Sequence, residues 1–275
     1  MINRALLFLL LFVVLDTSAQ EVYELWPGVV PGQKSPKADD EVKPDRGDGV
    51  TRLTNITNPA ITVYEGVTDK QKRIGLIVCP GGGYQHLAID KEGTEIAAWL
   101  NELGYTAFVL TYRVPDNLEG AIQDLRQSIT WVRHHKDRYS IDADKIGTIG
   151  FSAGANLSVW CQSSLNMGTV EERSAATQNF QLLIYPAGYD EGPRNSLTPG
   201  LIINKFTTPT FIFATADDKY ANSALVLAKA LRDAKIPVEL HLLPEGGHGY
   251  GLRAGNTAAT TWPDLAARWL TTFAE

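Results

Sequence analysis

The chain has 275 residues, of which 44% are hydrophobic and 20% charged, and its formal net charge is −6 at pH 7. That length suits one large α/β domain with a well-buried core, and the composition is that of a globular protein. The acidic balance argues against a nucleic acid or an anionic membrane surface as partner, because both select a basic face.

Residues 1–19 read MINRALLFLLLFVVLDTSA. Arg4 precedes an apolar run from Ala5 to Leu15, and Thr17-Ser18-Ala19 closes the segment with small residues. The run has the length of a signal-peptide core and is too short to span a bilayer. It predicts cleavage after Ala19, a secreted or periplasmic protein, and no membrane insertion after that cleavage. Residues 20–60 are polar, rich in Pro, Gly and Asp, and lack a helical period. They read as an extended arm. Residues 61–275 read as one catalytic domain.

From residue 61 strands and helices alternate. ITVYEG (61–66) and the fully apolar RIGLIVCP (73–80) are strands, and KEGTEIAAWLNELG (91–104) is an amphipathic helix stopped at Gly104. A strand over 105–115, a long helix over 118–139, a strand over 145–151 and a helix over 152–165 follow. Strands over 180–186 and 209–215, a helix over 220–235, a strand over 237–244 and a helix over 257–274 complete the chain. Such alternation predicts a mostly parallel central sheet with helices on both faces. Ligands of such sheets bind beyond the carboxyl ends of the strands.

Chemistry-bearing residues collect in the loops that leave those ends. Gly150-Phe151-Ser152-Ala153-Gly154 is a G-x-S-x-G motif between a strand and a helix, the context of a nucleophile elbow. A serine needs a base. His134 and His135 belong to the long helix, His241 alternates within a strand, and His86 precedes the serine. His248 sits in PEGGHGYG, a glycine-rich loop after the last strand, and is the best-placed base. The orienting acid should lie between serine and histidine in the chain. Asp217 and Asp218 follow a buried strand, and Asp190 and Glu191 are the other pair. The order Ser…Asp…His is that of an α/β-hydrolase fold, here without a large helical cap.

The stretch Pro80-Gly81-Gly82-Gly83-Tyr84 fails the dinucleotide and P-loop patterns. It fits an oxyanion loop, in which backbone N–H groups of Gly82 or Gly83, with Tyr84 as a further candidate, act beside the N–H of Ala153. Cys79 and Cys161 allow either a disulfide or two buried thiols. No Cys/His spacing suggests zinc and no acidic loop suggests calcium, so neither metal nor cofactor is expected.

CPGGGYQHLAIDKEG, VLTYRVP, IDADKIGTIGFSAGANL, PTFIFATADD and PVELHLLPEGGHGYGL together resemble the α/β-hydrolase esterases described as BD-FAE-like or xylanase-associated acetyl esterases. The resemblance covers roughly residues 22–275. It implies an exported carbohydrate esterase acting on acetylated xylan or a related saccharide, with Asp217 as the acid and Asp218 as a loop or helix-capping residue. Pro80 stands where the commoner His-Gly-Gly-Gly loop has histidine. Tyr84, Tyr189, Tyr220 and Tyr250 are candidate contacts to sugar rings, and the stretch from Ala187 to Thr208 is a candidate roof. An oligopeptidase-type serine peptidase and a generic short-chain carboxylesterase are the alternatives.

Overall fold

Apolar runs buried on both faces have to sit in the middle of a sheet. The computed structural model, which describes residues 20–66, 72–163, 169–190, 196–203 and 207–274, places them there. Its strands are β1 (Val22–Glu24), β2 (Glu41–Val42), β3 (Arg52–Thr54), β4 (Ala60–Tyr64), β5 (Gly75–Cys79), β6 (Leu87–Ala88), β7 (Thr106–Thr111), β8 (Ile146–Phe151), β9 (Phe180–Ile184), β10 (Thr210–Thr215) and β11 (Val238–Leu243). Its helices are α1 (Glu95–Glu102), α2 (Leu118–His134), α3 (Ala153–Ser163), α4 (Val170–Ala175), α5 (Ala221–Asp233) and α6 (Thr257–Thr271).

Among the described residues, eight strands form the main sheet in the order β1-β4-β7-β5-β8-β9-β10-β11. The six from β7 to β11 run parallel, and β4 and β1 close one edge antiparallel. This is the α/β-hydrolase sheet expected from the alternation, and no large helical cap covers it among the described residues. The apolar side chains of α1 and α6, including Ile96, Leu100, Trp262 and Leu270, cover one face. Leu125 and Ile129 of α2, Leu157 of α3 and Leu227 of α5 cover the other.

Register decides where the site forms. Cys79 pairs with Gly150, Phe151 with Ile184, and Thr215 with Leu243. The carboxyl ends of β5, β8, β10 and β11 are therefore level, and the loops leaving them meet at one edge.

The arm is woven into the fold. Tyr23 of β1 pairs with Ile61 of β4, and Leu25 donates its N–H to Pro59 O at 3.0 Å. Further on, β3 pairs with β2 and with β6, the short strand just after the glycine loop. Arg113, at the end of β7, donates from Nε and Nη2 to Asp124 of α2 at 2.9 Å, and both side chains are fully buried. Trp26 Nε1 donates to the same carboxylate, which ties the arm to this pair.

The helix expected over 91–104 divides. Asp90–Thr94 is a π-helical turn, and α1 follows it. Gly104, at φ +88°, supplies the left-handed residue that stops it. Cys79 and Cys161 are buried free thiols. The expected leader, residues 1–19, lies outside the described residues.

Candidate active site

Ser152 joins β8 to α3 at φ +51°, in the left-handed region that a non-glycine residue occupies only when its surroundings enforce it. The enforcement comes from close packing of α3 on β5. A Cβ on Gly154 would lie 1.9 Å from the Cys79 carbonyl oxygen, so only glycine lets the helix approach. The Ser152 N–H donates to Ile184 O at 3.1 Å, and the Ser152 carbonyl accepts from Asn156 N–H at 3.1 Å.

Ser152 Oγ lies 2.8 Å from His248 Nε2. His248 Nδ1 lies 2.6 Å from Asp218 Oδ2, and the Asp218 residue is only 6% exposed. With the Nδ1 proton given to Asp218, Nε2 is left to accept from the serine hydroxyl. The rings of Tyr185 and Tyr220 meet the imidazole edge-on, with centroids at 5.1 and 4.9 Å.

The acid is thus one residue beyond the one expected. Asp217 points away from His248 and accepts from the N–H groups of Gly246 and Gly247 at 3.1 and 2.9 Å. Those bonds, Gly247's first, hold its carboxyl below the usual carboxylate range. Asp217 shapes the loop that carries the histidine, while Asp218 faces it. Asp190, from the other acidic pair, binds Ser223 Oγ and Asn222 Nδ2 at α5 instead, and Glu191 lies outside the described residues. His135 bonds Trp131 O and His241 bonds Glu239, both away from the serine.

The glycine loop lies against the serine. Gly82 has φ +140°, and a Cβ there would lie 2.0 Å from His86 O. Gly83 has φ +62° and Tyr84 +57°. Among the described residues no acceptor takes the Gly82 or Gly83 N–H, whereas the Gly81 N–H is engaged by Glu92 Oε2 at 2.7 Å. Ala153 opens α3, where the first N–H groups have no intrahelical acceptor. Gly82 and Gly83 line the same cleft as Ser152, and Ala153 follows the serine at the start of α3.

Sequence reasoning missed Glu92. It is buried in the π-helical turn and accepts from the Tyr185 hydroxyl at 2.8 Å as well as from Gly81. Tyr185 in turn accepts from Gly251 N–H at 3.1 Å, three residues past His248. One carboxylate thus links the glycine loop to the histidine loop. Burial pushes the Glu92 carboxyl up, against the two hydrogen bonds that favour its ionised form. In sequence Glu92 reads as an ordinary charged residue of an amphipathic helix beside Lys91, so nothing there signals its role.

The serine and histidine open on a cleft of about 440 Å³ lined by Gly82, Gly83, His86, Glu92, Tyr220 and, from the arm, Asp48, Val50 and Arg52. His86 Nδ1 is buried without a partner among the described residues, and burial, with help from Lys43, Arg52 and Arg46, lowers this imidazole to about 4. Of the four tyrosines expected to touch substrate, only Tyr220, 37% exposed, lines the cleft. Tyr189 is fully buried with its hydroxyl on Ala155 O. Tyr250 is 5% exposed and packs on Tyr185 at 4.5 Å. Tyr84 donates to Asn156 Oδ1 at 2.9 Å and packs on the α2–α3 side of the core. Each of these three is a core or loop-bracing residue, corrected from a sugar contact. The expected roof, Ala187 to Thr208, contributes no lining residue among its described positions; the arm supplies that wall.

Residues 61–184 match the BD-FAE family model. An acetylxylan esterase of Xylanibacter ruminicola is 29% identical over 202 residues, which are 64% of this chain and 41% of that protein. Endo-1,4-beta-xylanase B of Butyrivibrio fibrisolvens is 25% identical over 66% of this chain and 33% of its own length. The chain therefore spans less than half the length of these curated relatives. The crystal structure of an acetyl ester-xyloside bifunctional hydrolase from Caldicellulosiruptor lactoaceticus superposes with a TM-score of 0.68 at 26% identity, covering 92% of this chain and 96% of that one. MGS-M1, an α/β hydrolase enzyme from a Medee basin deep-sea metagenome library, does so with a TM-score of 0.65 at 26% identity, covering 86% and 98%. With the sheet order, the elbow and these matches in agreement, the chain has the α/β-hydrolase fold, and its residues 61–184 are similar to the BD-FAE family.

Proposed function

We propose that this protein is an exported serine carbohydrate esterase that removes acetyl groups from xylan or a related saccharide. One observation carries the reading: the hydrogen-bonded series Ser152 Oγ, His248, Asp218 opens on a cleft lined by Gly82 and Gly83, whose amides have no acceptor among the described residues. Ser152 Oγ adds to the acetyl carbonyl as its proton passes to His248 Nε2. The N–H groups of Ala153 and of Gly82 or Gly83 take the developing negative charge. The sugar oxygen leaves with the proton from His248. Water, deprotonated by the same nitrogen, then releases acetate and restores Ser152.

The acetyl and carbohydrate assignment is supported by the named relatives, an acetylxylan esterase and an acetyl ester-xyloside bifunctional hydrolase. Glycoside hydrolysis fits the cleft poorly. It needs two free facing carboxylates, and both here are engaged, Asp48 by Arg52 and Glu92 by Gly81 and Tyr185. The leader sequence supports export, with residues 20–60 as arm and 61–275 as catalytic domain. The test is Ser152→Ala assayed on an aryl acetate and, for acetate release, on acetylated xylan. Loss of both activities by at least about a thousandfold is expected; an active variant overturns the assignment.

A further inference from the structure

The cleft carries charges that the hydrolytic chemistry does not use. Arg52, Lys91 and Lys219 line it together with Asp48 and Glu92. Asp48 is committed to Arg52, whose Nη1 and Nη2 both donate to its carboxylate. Glu92 is buried and holds two internal donors. By contrast, no carboxylate among the described residues lies within ion-pair reach of Lys91 or Lys219. Lys219 extends over the Tyr220 ring at 4.8 Å and stays exposed at the cleft. Arg52 is 8% exposed, and its Nε–H is buried without an acceptor among the described residues.

Asp48 neutralises Arg52, so the ammonium groups of Lys91 and Lys219, set against the one buried Glu92 carboxylate, leave the concave surface locally cationic in a chain whose net charge is −6. A cleft whose sign opposes that of the whole molecule concentrates ligands of the opposite sign. Neutral xylose units would take hydrogen bonds from such lining but no net charge attraction. A sugar carboxylate would, and the oxygens of a uronate are strong acceptors for ammonium and guanidinium groups.

We infer that the preferred substrate is an acetyl ester on a saccharide that also bears a carboxylate, a uronate-substituted oligosaccharide, held by Lys91 and Lys219 beside Ser152. This rests on the esterase reading above and names the substrate class of the same site. The carboxylate is present equally in ground and transition state, so its attraction lowers KM and leaves kcat nearly unchanged.

The experiment compares kcat/KM of the unaltered protein on acetylated xylo-oligosaccharides of equal length with and without a glucuronate branch, with an aryl acetate and an aryl hemisuccinate alongside. One unpaired ammonium near a carboxylate is worth about fivefold at low salt. The acidic oligosaccharide should therefore win by at least about fivefold, through KM, and the advantage should fade towards parity near ~1 M salt. Lys91→Gln with Lys219→Gln should bring the ratio close to one. Turnover of the aryl acetate with a ratio of one or less at low salt overturns the inference and leaves the esterase reading standing. A ratio unchanged in the double variant also overturns it. A gain confined to the hemisuccinate puts the carboxylate on the acyl side and overturns the sugar assignment. No turnover of any ester sinks the esterase reading and the inference with it.

Discussion

Asp217 and Asp218 are adjacent, chemically identical, and placed by the structure in different roles, so exchanging each for asparagine separates those roles. Asp218 Oδ2 sits 2.6 Å from His248 Nδ1 and the residue is 6% exposed. Asp218→Asn keeps the shape but turns an acceptor into an amide that can donate to Nδ1. The imidazole then carries its proton on Nε2, 2.8 Å from Ser152 Oγ, where it can no longer accept the serine proton. In serine hydrolases that wrong tautomer lowers kcat by ~10⁴, equivalent to about 5 kcal/mol of transition-state stabilisation. Asp217→Asn leaves a carbonyl oxygen able to accept from Gly246 or Gly247. It loosens the loop without touching the imidazole, and a loss of no more than about tenfold is expected, since a loop hydrogen bond is worth ~1 kcal/mol. Initial rates on an aryl acetate near pH 8, with thermal melts of both variants, read the contrast. Equal losses in the two variants, or a larger loss in Asp217→Asn, would refute the assignment of Asp218 as the histidine's partner.

Two further outcomes concern stability. The His86 imidazole is lowered to about 4 from an ordinary 6.5, chiefly by burial, so the fold favours its neutral form. Its contribution is present above pH ~6.5 and is lost as pH falls towards 4; the melting temperature of the parent protein should drop more steeply over that interval than that of His86→Asn, and parallel curves would count against it. Asp124→Asn strips the counter-charge from a fully buried Arg113. Urea unfolding should register a loss of about 3–5 kcal/mol, and a loss under ~1 kcal/mol would mean that water or another group reaches the guanidinium.

Periodicity carried the central sheet, because β5, β8, β9 and β10 are predominantly apolar runs, buried at every position, that fit interior strands. Ser152 and His248 were legible for a related reason: each follows such a strand in a glycine-bearing loop, and parallel topology brings those loops to one edge. What escaped depended on side-chain direction or on pairing too short to leave a pattern. Nothing in the sequence distinguishes Asp217 from Asp218, since a turn after β10 aims one at solvent and loop amides and the next inward. Resemblance favoured the wrong member of the pair. The two- and three-residue strands β2, β3 and β6 have no readable period, yet they carry Arg52 into the cleft and make the arm part of the site. The tyrosines misled because an aromatic near the carboxyl edge serves the core as readily as a ligand. Tyr189 and Tyr250 end in the core, and only Tyr220 remains at the surface.

Pro80, which stands where related loops begin with histidine, finds its explanation in the same packing. It ends β5 with no N–H to satisfy, and its carbonyl accepts from the buried Tyr112 hydroxyl at 2.6 Å. The first N–H after it, from Gly81, goes to Glu92, so the donors left over for a ligand begin at Gly82. The loop is thereby held on one side by Tyr112 of the strand edge and on the other by a carboxylate that also reaches Tyr185 and, through it, Gly251. A histidine in place of Pro80 would bring its own N–H and a polar ring into a fully apolar strand end beside Val109 and Gly93. The chain instead assigns the bracing of the oxyanion loop to Tyr112 and Glu92, neither of which belongs to the glycine motif. The motif supplies the conformations, and residues 11 and 32 positions further on hold them in place.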